Sequence, residues 1–466
     1  MGNGKSMAAD GNELSCASVM GAAETGAMRR AREFLMARGT PELLRLVGSR
    51  RDDLVPPSPM RDKRVFPTSY GGRASCADDL LAGQGMFYVT EGGRVMLDCT
   101  SGHYQMTWGY NHPQLLAATR EAMELGVVWD NHSNIPSHPV KLLADRLADL
   151  GADAGLDRVL LGVCTGSVAC GAALKIMLMR YARDTRRARL GAPVMIALSG
   201  NYHGTDMVAQ TMRGMWPGLV AGMETVQVQP NDPDGLRAAF ARCGRRVAGF
   251  WAEPIMMNRE AIAVHAGFLQ LAQGLCAQNG ALMAIDEIQT GFWHPQVLMY
   301  RALGIRPDLV VVGKGMTAGF HPLAGLLYRA ELDILEQYDA ISTNGSASLA
   351  SFVALCSLEL IERGRERLAG LAERHFEGLR ALAAEFPGLV EEVNGGGFLS
   401  GIKFRDRQDA LGFHRQALAR GLWLRAHAYH PGHRTVLMKH PLAVEEAVID
   451  YVHEQLRDLL KTTPWR

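Results

Sequence analysis

The sequence predicts an α/β protein, with a large domain on a mainly parallel sheet followed by a smaller α+β domain. Three observations carry this. Between about residues 137 and 312, short apolar runs alternate with helical stripes, the pattern of strand–helix–strand units. Several of the runs are uninterrupted and β-branched, as at 309–312 (Leu-Val-Val-Val), which suits strands buried on both faces. Beyond about residue 350 the character shifts to long helical periodicity, a glycine-rich hairpin at 395–397 and a terminal helix. The boundaries read as 1–84 for an N-terminal arm with part of the small domain, 85–350 for the large domain and 351–466 for the C-terminal small domain.

Taken in order, a helix is expected over 24–37. Residues 53–59 carry three prolines and read as a linker. Runs at 87–90 and 94–97, separated by Glu91-Gly92-Gly93, form a hairpin. Ser137, His138 and Pro139 open a helix that carries Leu142, Leu143, Leu147 and Leu150 and closes at Gly151. A strand spans 158–163. From Ser167 the chain is helical, with Leu174, Met177, Leu178 and Tyr181 on one face. Strands follow at 194–198 and 247–251. A helix through Phe268, Leu271, Ala272, Leu275 and Cys276 stops at Asn279-Gly280. Further strands span 281–285 and 309–312. Helices run through 355–386, and the last helix starts near 444.

Composition removes several function classes. Lys and Arg number 49 against 48 Asp and Glu, so no basic excess points to nucleic acid. No apolar run approaches the roughly 18 residues of a membrane span. The eight cysteines show no Cys-x-x-Cys spacing, which fits a reduced, cytoplasmic setting. The first residues lack a signal-peptide layout. Met1-Gly2-Asn3-Gly4-Lys5-Ser6 matches a myristoylation pattern and the end of a phosphate loop, but without the loop's first glycine and strand it is read as an ordinary terminus. His427, His430, His433 and His440 are irregularly spaced with no accompanying Cys or Asp set, so no metal site is expected.

In open α/β sheets, ligands bind beyond the carboxyl ends of the strands. Polar residues fall at those ends. Thr165-Gly166-Ser167 follows the strand at 158–163, and Asn201-Tyr202-His203-Gly204 follows 194–198. Glu253-Pro254 follows 247–251, Asp286 to Gly291 follows 281–285, and Lys314, between Gly313 and Gly315, follows 309–312. Five consecutive strands are thus expected to deliver polar groups to one edge. Each admits a plainer role: an ordinary helix cap at Ser167, a structural ion pair at Asp286, a solvated loop charge at Lys314, packing at Tyr202. Together they compose one chemistry. A Gly/Ser turn opening a helix seats an anion. A half-buried carboxylate needs a cation or donor. With an aromatic plate and a partly buried lysine, whose amine burial makes available, this set is what pyridoxal phosphate requires.

At these residues the chain resembles the class III (ω-type) aminotransferases, including glutamate-1-semialdehyde aminomutases, which are fold-type I pyridoxal-phosphate enzymes. Ala281 to Phe292 (ALMAIDEIQTGF) is similar to the family's strand ending in Asp-Glu-Val-Gln-Thr-Gly-Phe, and Pro307 to Gly315 (PDLVVVGKG) to its lysine segment. Tyr202-His203-Gly204, Ala252-Glu253-Pro254-Ile255 and, less closely, Ser342 to Ala350 match further family turns. The resemblance implies a large domain with a mainly parallel seven-stranded sheet, pyridoxal 5′-phosphate as cofactor, and a homodimer with the active site at its interface. It implies Lys314 as Schiff-base lysine and proton shuttle, Asp286 against the pyridine nitrogen, and Gln289 at the phenolic oxygen. Tyr202 would stack on the ring with His203 beside it. Thr165, Gly166 and Ser167 would take the phosphate, Thr343 would reach the other subunit's phosphate, and Glu253 would support Asp286 or the substrate side. The reaction implied passes an amino group from a primary amine or amino acid to a carbonyl acceptor. An intramolecular aminomutase and a non-catalytic binding protein on the same fold are the alternatives.

The departures bear on substrate. Val168 replaces the acidic residue of the phosphate turn, Tyr110 stands where histidine is common, and Asn344 and Ser348 replace an aromatic residue and a proline. Leu437 takes the place of the arginine that grips a substrate carboxylate in many relatives, and neither Arg434 nor Lys439 matches it by position. Trp108, Tyr110 and Trp129 are candidates for the substrate pocket.

Overall fold

Why the chemistry-bearing residues meet follows from the sheet. A computed structural model of the chain describes residues 14–56, 79–127, 135–214, 222–427 and 431–462. The large sheet has seven strands: β1 (Arg158–Val163), β2 (Val194–Leu198), β3 (Glu224–Val228), β4 (Val247–Ala252), β5 (Leu282–Asp286), β6 (Leu309–Val312) and β7 (Ala324–Tyr328). Their spatial order is β1-β7-β6-β5-β4-β2-β3. The five strands from β6 to β3 pair in parallel, while β7 is antiparallel to both β6 and β1. Two reversals restore direction, so β1 runs the same way as the parallel block. Strands β2, β4, β5 and β6 are buried throughout, as their uninterrupted apolar runs require when helices cover both faces.

The helix Gly166–Arg183 packs Ala169, Cys170, Ala172, Ala173, Leu174, Ile176 and Met177 on one face of this sheet, in a core shared with Trp251, Ala284 and Val311. A helix over Ala266–Asn279 closes at Gly280, whose left-handed backbone caps it. The helical periodicity after residue 350 belongs to a single helix, Ser348–Glu385. The expected hairpin is Val390–Gly396 with Leu399–Phe404, and it joins a four-stranded antiparallel sheet with Thr435–Lys439 and Arg425–His427. The hairpin at 87–97 forms strands Phe87–Thr90 and Val95–Asp98. It pairs in parallel with Leu422–Trp423, tying early chain to late chain.

Two strands of the large sheet carried no signal in the sequence reading. Strand β3, Glu-Thr-Val-Gln-Val, lies at the sheet edge with alternating polar residues, and β7 follows a turn of glycine, histidine and proline. The expected run of five consecutive strands is therefore interrupted in chain order by β3, although the five carboxyl ends still share one edge. Residues 1–13 and 57–59, with Trp129 and His430, lie outside the described residues.

Candidate active site

Asp286 is the last residue of β5 and Lys314 lies two residues past β6, its parallel neighbour. Asp286 is buried, and its carboxylate is held from three sides. One oxygen accepts from the Ile288 N–H at 2.9 Å. The other lies 2.8 Å from His203 Nδ1 and 3.6 Å from the Cys170 thiol. Cys170, His203 and Asp286 thus bring three metal-type ligand atoms within 4.8 Å of one another, but the His203–Asp286 contact has hydrogen-bond length. Burial alone would lower the His203 pKa; the Asp286 and Glu253 carboxylates together outweigh it and the net shift is upward.

Glu253, at the end of β4, is buried beside them. Its carboxylate accepts from the Tyr202 N–H at 2.8 Å and from Gln289 Nε2 at 3.5 Å, and burial lifts its pKa to about 7. Gln289 also donates to Asn258 Oδ1 at 3.1 Å. Glu287 has a different duty. Its carboxylate accepts from the Tyr300 N–H at 2.6 Å and from the Thr290 hydroxyl, pinning the turn after β5.

Lys314 stands in the left-handed region, with φ of 41°. A non-glycine residue there is strained, and such strain is concentrated at functional sites. The following residue explains why the turn is fixed. A Cβ on Gly315 would sit 2.0 Å from Trp293 Cζ3 and 2.6 Å from the Thr107 hydroxyl. The Lys314 ammonium lies 5.9 Å from the Tyr202 ring centroid. Burial lowers its pKa to about 8, against the pull of Asp286 and Glu253, with Arg425 adding repulsion. Lys314 lines a cavity of about 280 Å³ with Thr165, Gly166, Gln105, Thr317 and Phe320. The structure therefore gathers Lys314, Asp286, Tyr202, His203, Glu253, Gln289 and the Thr165-Gly166-Ser167 turn at one edge.

Other candidates lie elsewhere. Thr343 is exposed, on a loop strapped to β1 by Ser342 N–H to Gly162 O and Ser346 N–H to Leu161 O, both 2.8 Å. Trp108 is buried and donates to Ser357 Oγ at 3.0 Å; Tyr110 donates to Asp98 at 2.8 Å. Arg434 binds Phe404 O and Glu391, and His427 stacks on His433 while His440 packs edge-on to His375. Sequence reasoning missed Asn258, Trp293 and Arg425. Only Arg425 left a trace, as a cation beside the short apolar run 422–424.

The aminotransferase class-III family profile matches residues 78–460. The chain belongs to the class-III aminotransferases. The ornithine aminotransferase of Bordetella pertussis is 28% identical over 398 residues, covering 82% of this chain and 90% of that protein. The acetylornithine aminotransferase of Thermosynechococcus vestitus is 28% identical over 386 residues, covering 80% and 90%. An amine transaminase from an uncultivated Pseudomonas species, solved in its PLP-bound form, superposes with a TM-score of 0.73 at 22% identity, over 86% of this chain and 99% of that one, which shows the shared fold. This class-III aminotransferase is a pyridoxal-phosphate-dependent enzyme with the fold-type I architecture.

The edge described above fits that cofactor. His203 Nε2 and Gln289 Oε1 are buried without a partner among the described residues, so polar capacity is left open around Asp286. Gly204, with φ of +131°, brings the Tyr-His-Gly turn against the Thr165-Gly166-Ser167 turn, where a Cβ would lie 2.3 Å from Ser167 Oγ. The helix that begins at Gly166 has no side-chain cap, leaving first-turn N–H groups for an anion.

Proposed function

We propose that Lys314 carries amino transfer in this enzyme: its amine would hold the cofactor and would move a proton at the substrate carbon. The observation that carries this is a half-buried lysine just past β6, its Nζ 5.9 Å from the Tyr202 ring centroid and its pKa lowered to about 8 by desolvation against the pull of the buried Asp286 and Glu253 carboxylates. Bound there, pyridoxal phosphate supplies an electrophilic carbon and an electron-accepting ring. Asp286 would face the ring nitrogen and keep it protonated, with His203 fixing the carboxylate. Gln289 would meet the phenolic oxygen and Tyr202 would stack on the ring, with Glu253 bracing both through the Tyr202 N–H and Gln289. Thr165, Gly166 and Ser167 would hold the phosphate. Thr343, exposed in the single chain, serves the phosphate site of a second copy, so the working unit is a homodimer.

The donor is a primary amine that also carries a carboxylate. The relatives' names point to ornithine-like donors, and Arg425 is the cation whose field reaches Lys314 from the C-terminal sheet. Leu437, at the usual arginine position, is fully buried and offers no charge. A reducing, cytoplasmic setting is supported by seven described cysteines that are all unpaired, and among the described residues no helix is long and apolar enough to cross a membrane.

Mixing the holoenzyme with ornithine, N-acetylornithine and simple alkylamines tests this. Carboxylate-bearing amines are expected to bleach the cofactor's visible absorption, with recovery on adding a 2-oxo acid. Lys314→Ala is expected to lose turnover by on the order of 10³-fold or more, because an acid–base group alone contributes about 10²–10⁴. Turnover near wild type in that variant contradicts the assignment.

A further inference from the structure

The helix Gly166–Arg183 meets the turn after β5 at two points about one helical turn apart. At its first residue, Gly166, a Cβ would lie 2.5 Å from Ile288 Cδ1. One turn on, Cys170 is buried and its Sγ donates to Asp286 Oδ2 at 3.6 Å. Residues at this spacing share one face of a helix, so both contacts come from the face turned to β5. The direction of the sulfur contact follows from its chemistry. Burial, with the Asp286 charge beside it, pushes the Cys170 thiol well up, so it keeps its proton and toward a carboxylate can only donate. Asp286 Oδ2 thus has this thiol and His203 Nδ1, at 2.8 Å, while Oδ1 takes the Ile288 N–H at 2.9 Å. His203 and Ile288 belong to turns. Cys170 stands on the helix whose uncapped start is the anion seat.

We infer that Cys170 is a positioning residue, a thiol that ties the Asp286 carboxylate to the helix proposed to seat the cofactor's phosphate. Both ends of the cofactor are then gauged against one rigid element. The other small residues buried along this helix, Ala169, Ala172 and Ala173, offer only methyl groups. A thiol is a weak donor. It serves here because a buried cysteine has a single heavy-atom torsion to fix and its helix is already packed on the sheet, so little ordering opposes the contact. Without it the carboxylate keeps its bonds to His203 and Ile288, but nothing polar sets it against the helix. The loss then falls on the contact between Asp286 and the ring nitrogen, since a constellation is only as exact as the groups that brace it.

The inference rests on the placement of Asp286 against the ring nitrogen under the proposed function. The test compares two holoenzymes by equilibrium dissociation of the cofactor. One is loaded with pyridoxal phosphate, the other with its analogue in which carbon replaces the ring nitrogen. Cys170→Ala is expected to weaken retention of pyridoxal phosphate roughly fivefold, the size of one ordinary hydrogen bond. It is expected to spare the analogue, which has no nitrogen for Asp286 to meet. Cys170→Ser, which keeps a donor, is expected to match wild type with both. Cys170→Val removes the donor while keeping apolar bulk, and serves if the alanine variant does not fold. An equal loss with both cofactors marks a packing role and overturns the inference, as does no loss with either; the placement of Asp286 stands in both cases. If Asp286→Ala holds pyridoxal phosphate as tightly as wild type, that placement falls and the inference with it.

Discussion

At the scale of single residues, burial decides the chemistry. Lys314 has its pKa lowered to about 8 by desolvation, so its free amine appears well before that of a solvated lysine. Capture of added pyridoxal phosphate by the cofactor-free protein is therefore expected to accelerate as pH rises through about 8; acceleration only near the ordinary lysine range would contradict this. The sign for stability follows from proton counting. Between the folded value near 8 and the ordinary value of 10.5, the unfolded chain holds a proton that the folded chain has released, so this group favours folding increasingly as pH rises across that window. Asp286, Lys314 and Glu253 were legible in the sequence because each interrupts or follows an apolar run at a strand end. Arg425 and Trp293 were not legible as site residues. They come from the turn after β5 and from the C-terminal sheet, and only tertiary packing brings them to Lys314.

At the scale of elements, the turns after the strands do the positioning. Trp293, from the turn after β5, fills the space beside Gly315, so Gly315→Ala forces an overlap with a buried ring. Overpacking of this kind costs about 1–3 kcal/mol. Denaturant unfolding of Gly315→Ala is expected to show that loss together with weaker cofactor retention; wild-type stability would mean that the ring yields easily. The buried parallel strands were readable because a continuous β-branched run has few other uses. Strands β3 and β7 were not. An edge strand with polar alternation and a short strand behind a Gly/Pro turn give no periodic signal strong enough to separate them from loop. The stretch after residue 350 was legible as helical but was read as several helices, because one helix of 38 residues is unusually long for a globular domain; Ser348–Glu385 is unbroken.

At the scale of the whole molecule, the parallel sheet sets five strand ends along one edge, and the C-terminal sheet lays Arg425 against it. Thr343 is exposed on the strap of residues 342–346, which is hydrogen-bonded to β1, and is proposed to serve a second copy. Sedimentation is expected to give a mass of twice 50.8 kDa, and Thr343→Ala to weaken cofactor affinity with unfolding unchanged. A monomer with full activity would contradict that arrangement. The most direct test of the central claim is chemical. Holoenzyme is reduced with borohydride and digested, and the peptide that carries the cofactor is sequenced by mass spectrometry. The expected result is a single adduct on Lys314. An adduct on another lysine, or cofactor released unattached from active enzyme, would contradict it.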